Sequence, residues 1–176
     1  KLLSGSMRRL GLRPKWSWDN WMADEKRSGL VPFDLHIHDS DFIVYAFGKP
    51  NKVTDFRAKR PEQDYINAVY VYDDFFLTTE ASWYDAPYPF AADFRFQFER
   101  AVVAWEKGEM KIYETDGKIW CPISNGSEHD TGDIGLPASN AYANEINYFT
   151  DCVINNTCPD RVKPDELETV IDILNN

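Results

Sequence analysis

Two of the three histidines of this chain lie in one six-residue stretch, Asp34-Leu35-His36-Ile37-His38-Asp39, with Asp41 close behind. What the stretch can do depends on the backbone beneath it. On an α-helix, Asp34 and His38 are i, i+4 neighbours with Cβ atoms about 5–6 Å apart, and Asp41 continues the stripe at i+7. A carboxylate beside an imidazole orients the ring and raises its pKa from about 6.5, as an acid/base group working near neutral pH requires. On a strand, Asp34, His36 and His38 share one face instead. That is the Asp-x-His-x-His arrangement of metal-dependent hydrolases, in which imidazoles hold a divalent ion and the ion activates water. A third reading assigns no chemistry, because polar residues that cap or salt-bridge a helix also perturb pKa values.

The flanking residues favour the helix. Pro32 to Phe47 is uninterrupted, Pro suits a first-turn position, and Gly48 with Pro50 forms a helix ending. A metallohydrolase barrel of about 250 residues also needs later ligands, and only His129 remains.

The rest of the chain supplies a sheet and two more helices. Strands are predicted over Ser6 to Leu12, Val53 to Ala58, Asn67 to Tyr72, Phe75 to Trp83, Asp93 to Glu99, Ala101 to Trp105, Met110 to Thr115 and Lys118 to Pro122. The clearest is Asp93 to Glu99, where Phe94, Phe96 and Phe98 alternate with Arg95, Gln97 and Glu99. A loop carrying Trp16, Trp18 and Trp21 runs on to Gly29, and Ser124 to Ser139 is a second loop. Tyr142, Ile146, Phe149 and Val153 form one helical stripe capped by Asn140. Leu167, Val170, Ile171 and Leu174 form another after Pro164, with Asp165 and Glu166 in its first turn. A helix, a run of mainly antiparallel strands and two closing helices make an α+β pattern with a large open sheet.

Composition bounds the function. The chain has 176 residues, with 43% hydrophobic and 27% charged, enough for one globular domain with its own core. Its 15% of aromatics suits a sheet and a ligand cleft. The net charge is 19 − 29 = −10, which disfavours binding to nucleic acid or anionic membranes, both of which call for a basic surface. The longest apolar run, Phe42 to Phe47, is far short of the roughly 18 residues of a membrane span. Three cysteines make no disulfide framework, so a cytoplasmic location is expected. The opening Lys1, set against a strand, is expected to lie inside a longer protein. No Gly-x-Gly-x-x-Gly follows a strand and no P-loop is present, so the chain carries no nucleotide site of its own.

At this point the ordered set of residues resembles a known family. Arg8-Arg9, Trp16-Ser17-Trp18-Asp19-Asn20-Trp21, Ser28-Gly29, Asp34-Leu35-His36-Ile37-His38-Asp39-Ser40-Asp41-Phe42 and Gly48-Lys49-Pro50 are similar to the C-terminal domain of Gfo/Idh/MocA oxidoreductases. Ala81-Ser82-Trp83, Tyr88-Pro89-Phe90 and Tyr142 to Phe149 extend the match over nearly the whole chain. The resemblance implies that residues 1–176 are the substrate-binding and oligomerisation domain of an NAD(P)-dependent dehydrogenase. The Rossmann domain that binds NAD or NADP is missing from this chain, and the fragment alone is expected to be inactive. The implied substrate is a sugar, polyol or related compound. His38 is then the acid/base that exchanges the hydroxyl proton, and Asp34 binds substrate or orients the ring. Glu25-Lys26 is followed by Arg27 and is not the Glu-Lys-Pro motif of the Rossmann half. Leu30 stands where many relatives carry a second glycine.

Trp16, Trp18, Trp21 and Trp83 are candidate substrate-binding residues, since aromatic faces stack on sugar C–H surfaces; the alternative is that they pack the loop onto the sheet. Arg95, Gln97 and Glu99 face away from the core; the resemblance implies that this sheet face meets its counterpart in a homo-oligomer, and solvent exposure is the simpler alternative. The acidic loop Gly126 to Asp133, with His129, reads as solvated. Two alternatives stand beside the dehydrogenase: a metal-dependent hydrolase using Asp34, His36 and His38, and a non-catalytic sugar-binding module that would not need His38.

Overall fold

A computed structural model describes residues 1–122 and 141–175. Among these residues, eight strands form one open sheet: β1 (Leu2–Leu12), β2 (Lys52–Arg60), β3 (Gln63–Val71), β4 (Phe76–Tyr84), β5 (Ala91–Phe98), β6 (Ala101–Glu106), β7 (Glu109–Glu114) and β8 (Ile119–Trp120). Their order across the sheet is β2-β3-β4-β1-β5-β6-β7-β8. β1 runs parallel to β4 and antiparallel to β5, and every other pairing is antiparallel. This is the α+β open sheet expected from the pattern.

Period-two alternation sorts the side chains. Met7, Ala68, Tyr70, Leu77 and Phe96 meet Ile43 of the helix in one buried cluster, with Phe94 and Phe98 packed against it. Ser4, Arg8, Asp93 and Gln97 lie on the opposite face, where Arg8 Nη2 donates to Asp93 at 2.9 Å. A shallow hollow of about 260 Å³ there is lined by Ser6, Arg8, Asn67, Glu80, Asp93 and Arg95. Arg95 and Gln97 thus point away from the core, as their alternation with phenylalanine demands.

β1 begins four residues earlier than its sequence suggests. Leu2 to Gly5 have weak strand propensity, but pairing on both edges supplies the bonds that propensity lacks. Gly5 also has a packing reason: a Cβ there would sit 2.4 Å from Phe96 Cδ1 and 2.7 Å from Leu77 Cδ2.

The segment between β1 and the long helix is more ordered than a loop. It holds a 3₁₀ turn, Trp18–Ala23, and a short helix α1, Glu25–Ser28. Asp24 caps α1 by accepting from the Lys26 amide, and Gly29 ends it at φ 72°. The predicted helix from Pro32 to Phe47 forms in two parts. Pro32–His36 is a wide π-type turn, in which the Ile37 amide reaches back to the Pro32 carbonyl, and α2 (Ile37–Phe47) continues as an α-helix. Gly48 closes it, donating to the Val44 carbonyl.

Two closing helices follow, α3 (Ala141–Asn155) and α4 (Pro164–Leu174). α4 packs on α2, with Val170 1% exposed and Ile173 against the main cluster. α3 forms as its periodicity predicts. Its stripe of Tyr142, Ile146, Phe149 and Val153 faces outward at 58–66% exposure, and Cys152 is buried instead. The loop predicted over Ser124 to Ser139, with His129 and the Asn140 cap, lies outside the described residues. No helix among the described residues is long and apolar enough to cross a membrane.

Candidate active site

The site is built on the turn Pro32–His36 and the first turns of α2, fastened to the sheet at three points. At the start, Asp64 on β3 accepts from the Val31 amide at 3.1 Å while the Arg57 guanidinium donates to both its carboxylate oxygens at 2.9 and 2.8 Å. A helix start has unsatisfied N–H groups and a partial positive charge, so a buried carboxylate is a suitable anchor. In the middle, His36 points inward, where its Nε2 lies 2.8 Å from Thr79 Oγ1 and 2.9 Å from the Tyr70 hydroxyl. One turn later, Arg9 of β1 donates to Asp39 Oδ1 at 2.8 Å, with the Asp39 side chain 2% exposed.

Asp34 and His38 therefore share the outer side of this segment. Asp34 is half-buried and accepts from the Trp83 indole at 3.0 Å, and it interacts electrostatically with His38. Burial raises the Asp34 pKa, against the opposing pull of the Trp83 hydrogen bond and of His38. His38 reaches the surface, yet desolvation by the crowding protein lowers its pKa, and Arg9 acts in the same direction. Asp39, Asp34 and Asp41 oppose this but do not prevail. The sequence pattern alone anticipates a raised histidine; crowding and Arg9 reverse the sign. The pair so formed is a carboxyl pushed up next to an imidazole pushed down, and a histidine below 6.5 is neutral at pH 7 and free to take a proton.

The four tryptophans have separate fates. Trp83 is 2% exposed, so its ring is committed to packing and its indole N–H to Asp34. Trp21 packs against the cluster of Met22, Leu30, Val31, Ile66, Ala81 and Trp83. Trp16 and Trp18 are 80% and 82% exposed. A cleft of about 380 Å³ beside Trp83 is lined by Arg13, Glu25, Leu30, Lys59, Glu62 and Asp64 among others. Several of its charges are paired, Lys59 with Glu25, Arg13 with Glu62 and Asp64 with Arg57, while the Arg60 guanidinium donates to the Lys59 carbonyl.

The metal-hydrolase alternative fails on geometry. Its three ligands need a strand, but they sit on a helical segment that turns His36 into the core and leaves Asp34 and His38 outside. No group of three His, Cys, Asp or Glu side chains among the described residues is placed to hold a metal ion.

Asp64, Arg9, Tyr70 and Thr79 were not among the candidates read from sequence. Asp64 had a signal: it lies in phase with Ile66, Ala68 and Tyr70, so an inward carboxylate was written into that strand's alternation.

The structure is thus an open, mostly antiparallel sheet with an Asp-x-x-x-His helix laid across one face. Residues 1–119 match the GFO/IDH/MocA C-terminal domain model, and the chain belongs to that family. Solved structures share the fold. UDP-N-acetylglucosamine 3-dehydrogenase from Acidithiobacillus ferrooxidans superposes with a TM-score of 0.71 at 17% identity, over 98% of this chain and 51% of that one. Levoglucosan dehydrogenase in complex with NADH and levoglucosan gives 0.73 at 14% identity, over 99% and 55%. An oxidoreductase from Agrobacterium radiobacter in complex with NAD+, L-tartaric acid and magnesium gives 0.69 at 14%, over 99% and 53%. The chain thus spans about half the length of the solved structures it matches. No curated protein matches it in sequence.

Proposed function

We propose that this chain is the substrate-binding half of an NAD(P)-dependent oxidoreductase that acts on a sugar, polyol or related compound by hydride transfer. The observation that carries this reading is the Asp34–His38 pair, with its oppositely shifted pKa values, on the outer side of a helix fastened to the sheet. His38, neutral at pH 7, takes the proton from a substrate hydroxyl through an unprotonated ring nitrogen as hydride leaves the same carbon, and returns it in the reverse direction. Asp34 accepts a hydrogen bond from a substrate hydroxyl or from the His38 ring, while the Trp83 indole holds one of its oxygens. Trp16 and Trp18, exposed in the stretch between β1 and α1, offer faces for sugar C–H surfaces, and Trp21 is a further candidate there, packed against the cluster that contains Trp83.

The nicotinamide, NAD or NADP, supplies the hydride acceptor when bound. The chain has no glycine-rich phosphate turn, so that group belongs with a Rossmann domain of the full-length protein, and this half alone is inactive. The polar sheet face with Arg8, Asp93 and Arg95 is the proposed homo-oligomer surface, and a cytoplasmic location is proposed because three cysteines are too few for a disulfide framework.

The deciding experiment joins the chain to its nucleotide-binding half and replaces His38 with Ala. Dehydrogenase turnover should fall about a hundredfold or more, the usual loss of a general acid/base. Unchanged turnover refutes the role. Retained sugar binding without any dehydrogenase activity in the wild type would instead favour a non-catalytic sugar-binding module.

A further inference from the structure

The donors and acceptors around His36 can be assigned one by one. Ser40 Oγ lies 3.0 Å from the His36 carbonyl, which can only accept, so the serine proton is spent there. Tyr70 Oη lies 2.7 Å from Ser40 Oγ and must therefore be the donor of that pair. With its one proton used, Tyr70 can only accept from His36 Nε2 at 2.9 Å. Nε2 is thus the protonated nitrogen, with Thr79 Oγ1 at 2.8 Å as its second acceptor. The other nitrogen, Nδ1, is buried and has no partner. A bare lone pair there leaves no buried N–H unsatisfied, whereas the opposite tautomer would.

We infer that His36 is a positioning residue for the active site: as the neutral Nε2–H tautomer it closes a one-way hydrogen-bonded ring, His36 N–H to Tyr70 to Ser40 and back to the His36 carbonyl, that holds the Asp34–His38 turn on the sheet. The ring ties both ends of one helical turn, residues 36 and 40, to a single tyrosine on β3. It is sealed from water, with His36 2% exposed and Ser40 and Tyr70 fully buried. Hydrogen bonds that all run in one direction reinforce each other. The ring also lies under the π-type turn, a local widening that sets where Asp34 stands relative to His38. The functional part of this inference rests on the dehydrogenase reading above, whereas the ring itself does not.

Two measurements test it. Nitrogen-resolved NMR of this labelled chain should place the His36 ring proton on Nε2 at neutral pH; a proton on Nδ1 overturns the ring. In the same spectra, Tyr70→Phe, which opens the ring and keeps the ring's bulk, should move the His38 titration midpoint while the remaining resonances keep their folded dispersion. An unmoved midpoint overturns the positioning role. In the joined dehydrogenase, Tyr70→Phe should lower kcat about tenfold to a hundredfold with little change in KM, the size expected from misplacing catalytic groups by an ångström or less. His36→Gln, whose amide N–H groups reach the same acceptors, should recover most of that loss, and His36→Phe should not. Equal activity in His36→Gln and His36→Phe overturns the inference. If His38→Ala leaves turnover intact, the dehydrogenase reading fails, and the NMR result still decides the ring.

Discussion

Acid should unfold this protein partly through His36, by an amount that its burial sets. The unfolded chain protonates the residue near 6.5, while burial among Tyr70, Thr79 and Ser40 holds the folded value down to about 4, against a small opposing pull from Asp55. Between those two values the unfolded state carries a proton that the folded state refuses, so lowering the pH draws the equilibrium toward unfolding. Linkage over the interval from pH 7 to 4.5 gives a loss of about 2 kcal/mol. Asp34, Asp39 and Asp41, whose carboxyls burial raises, act in the opposite sense at the low end of this range. The comparison that isolates His36 is therefore wild type against His36→Gln, which has no proton to gain. Urea unfolding followed by tryptophan fluorescence at several pH values gives both curves. The stability difference between the two proteins should shrink by about 2 kcal/mol from pH 7 to 4.5. Two parallel curves would refute the idea that His36 is buried neutral.

Three further outcomes are expected. Leu30 has φ 59°, a left-handed conformation costing about 1–2 kcal/mol for a residue with a Cβ, so Leu30→Gly should be more stable than Leu30→Ala by roughly 1 kcal/mol in urea melts; the reverse order counts against strain at this turn. Arg9→Met leaves the buried Asp39 carboxylate without its guanidinium and should cost about 3–5 kcal/mol, and adding Asp39→Leu should restore most of it. Gly5→Ala forces a methyl against Phe96 and Leu77 and should cost about 1–3 kcal/mol, measurable as a lowered thermal midpoint.

The elements were largely legible because their signals are local. Phe94, Phe96 and Phe98 announce a one-sided strand, and Pro32 with Gly48 brackets a helix of the right length. Asp34 and His38 were legible for the same reason, being four residues apart on that helix. What the pattern left undecided is the ownership of His36, which in a string of letters looks as chemical as His38. Its partners Tyr70 and Thr79 lie 34 and 43 residues away, and only the β3–β4 pairing brings them beneath the helix. The sign of the His38 shift was hidden likewise, since Arg9 sits 29 positions upstream and reaches the site through the placement of β1. The amphipathic stripe of α3 was legible as a helix, but its exposure was not, because periodicity gives the face and not the neighbour that covers it.

The place of β1 in the sheet has a consequence for how the chain is made. β2 to β4 are joined by short turns, and so are β5 to β8, so each group can assemble from neighbouring residues alone. β1 is the seam between them: it lies along β4 with Ser4 opposite Phe76 and along β5 with Leu2 opposite Phe98. During synthesis it emerges before either neighbour, and its first edge, β4, is complete only at Tyr84, with Leu12 paired to that residue. Formation of the complete sheet is thus a late, long-range closure, the kind of step that slows folding and leaves strand edges open in the meantime. A peptide copying Leu2–Leu12, added while the chain is being released, would compete for that slot.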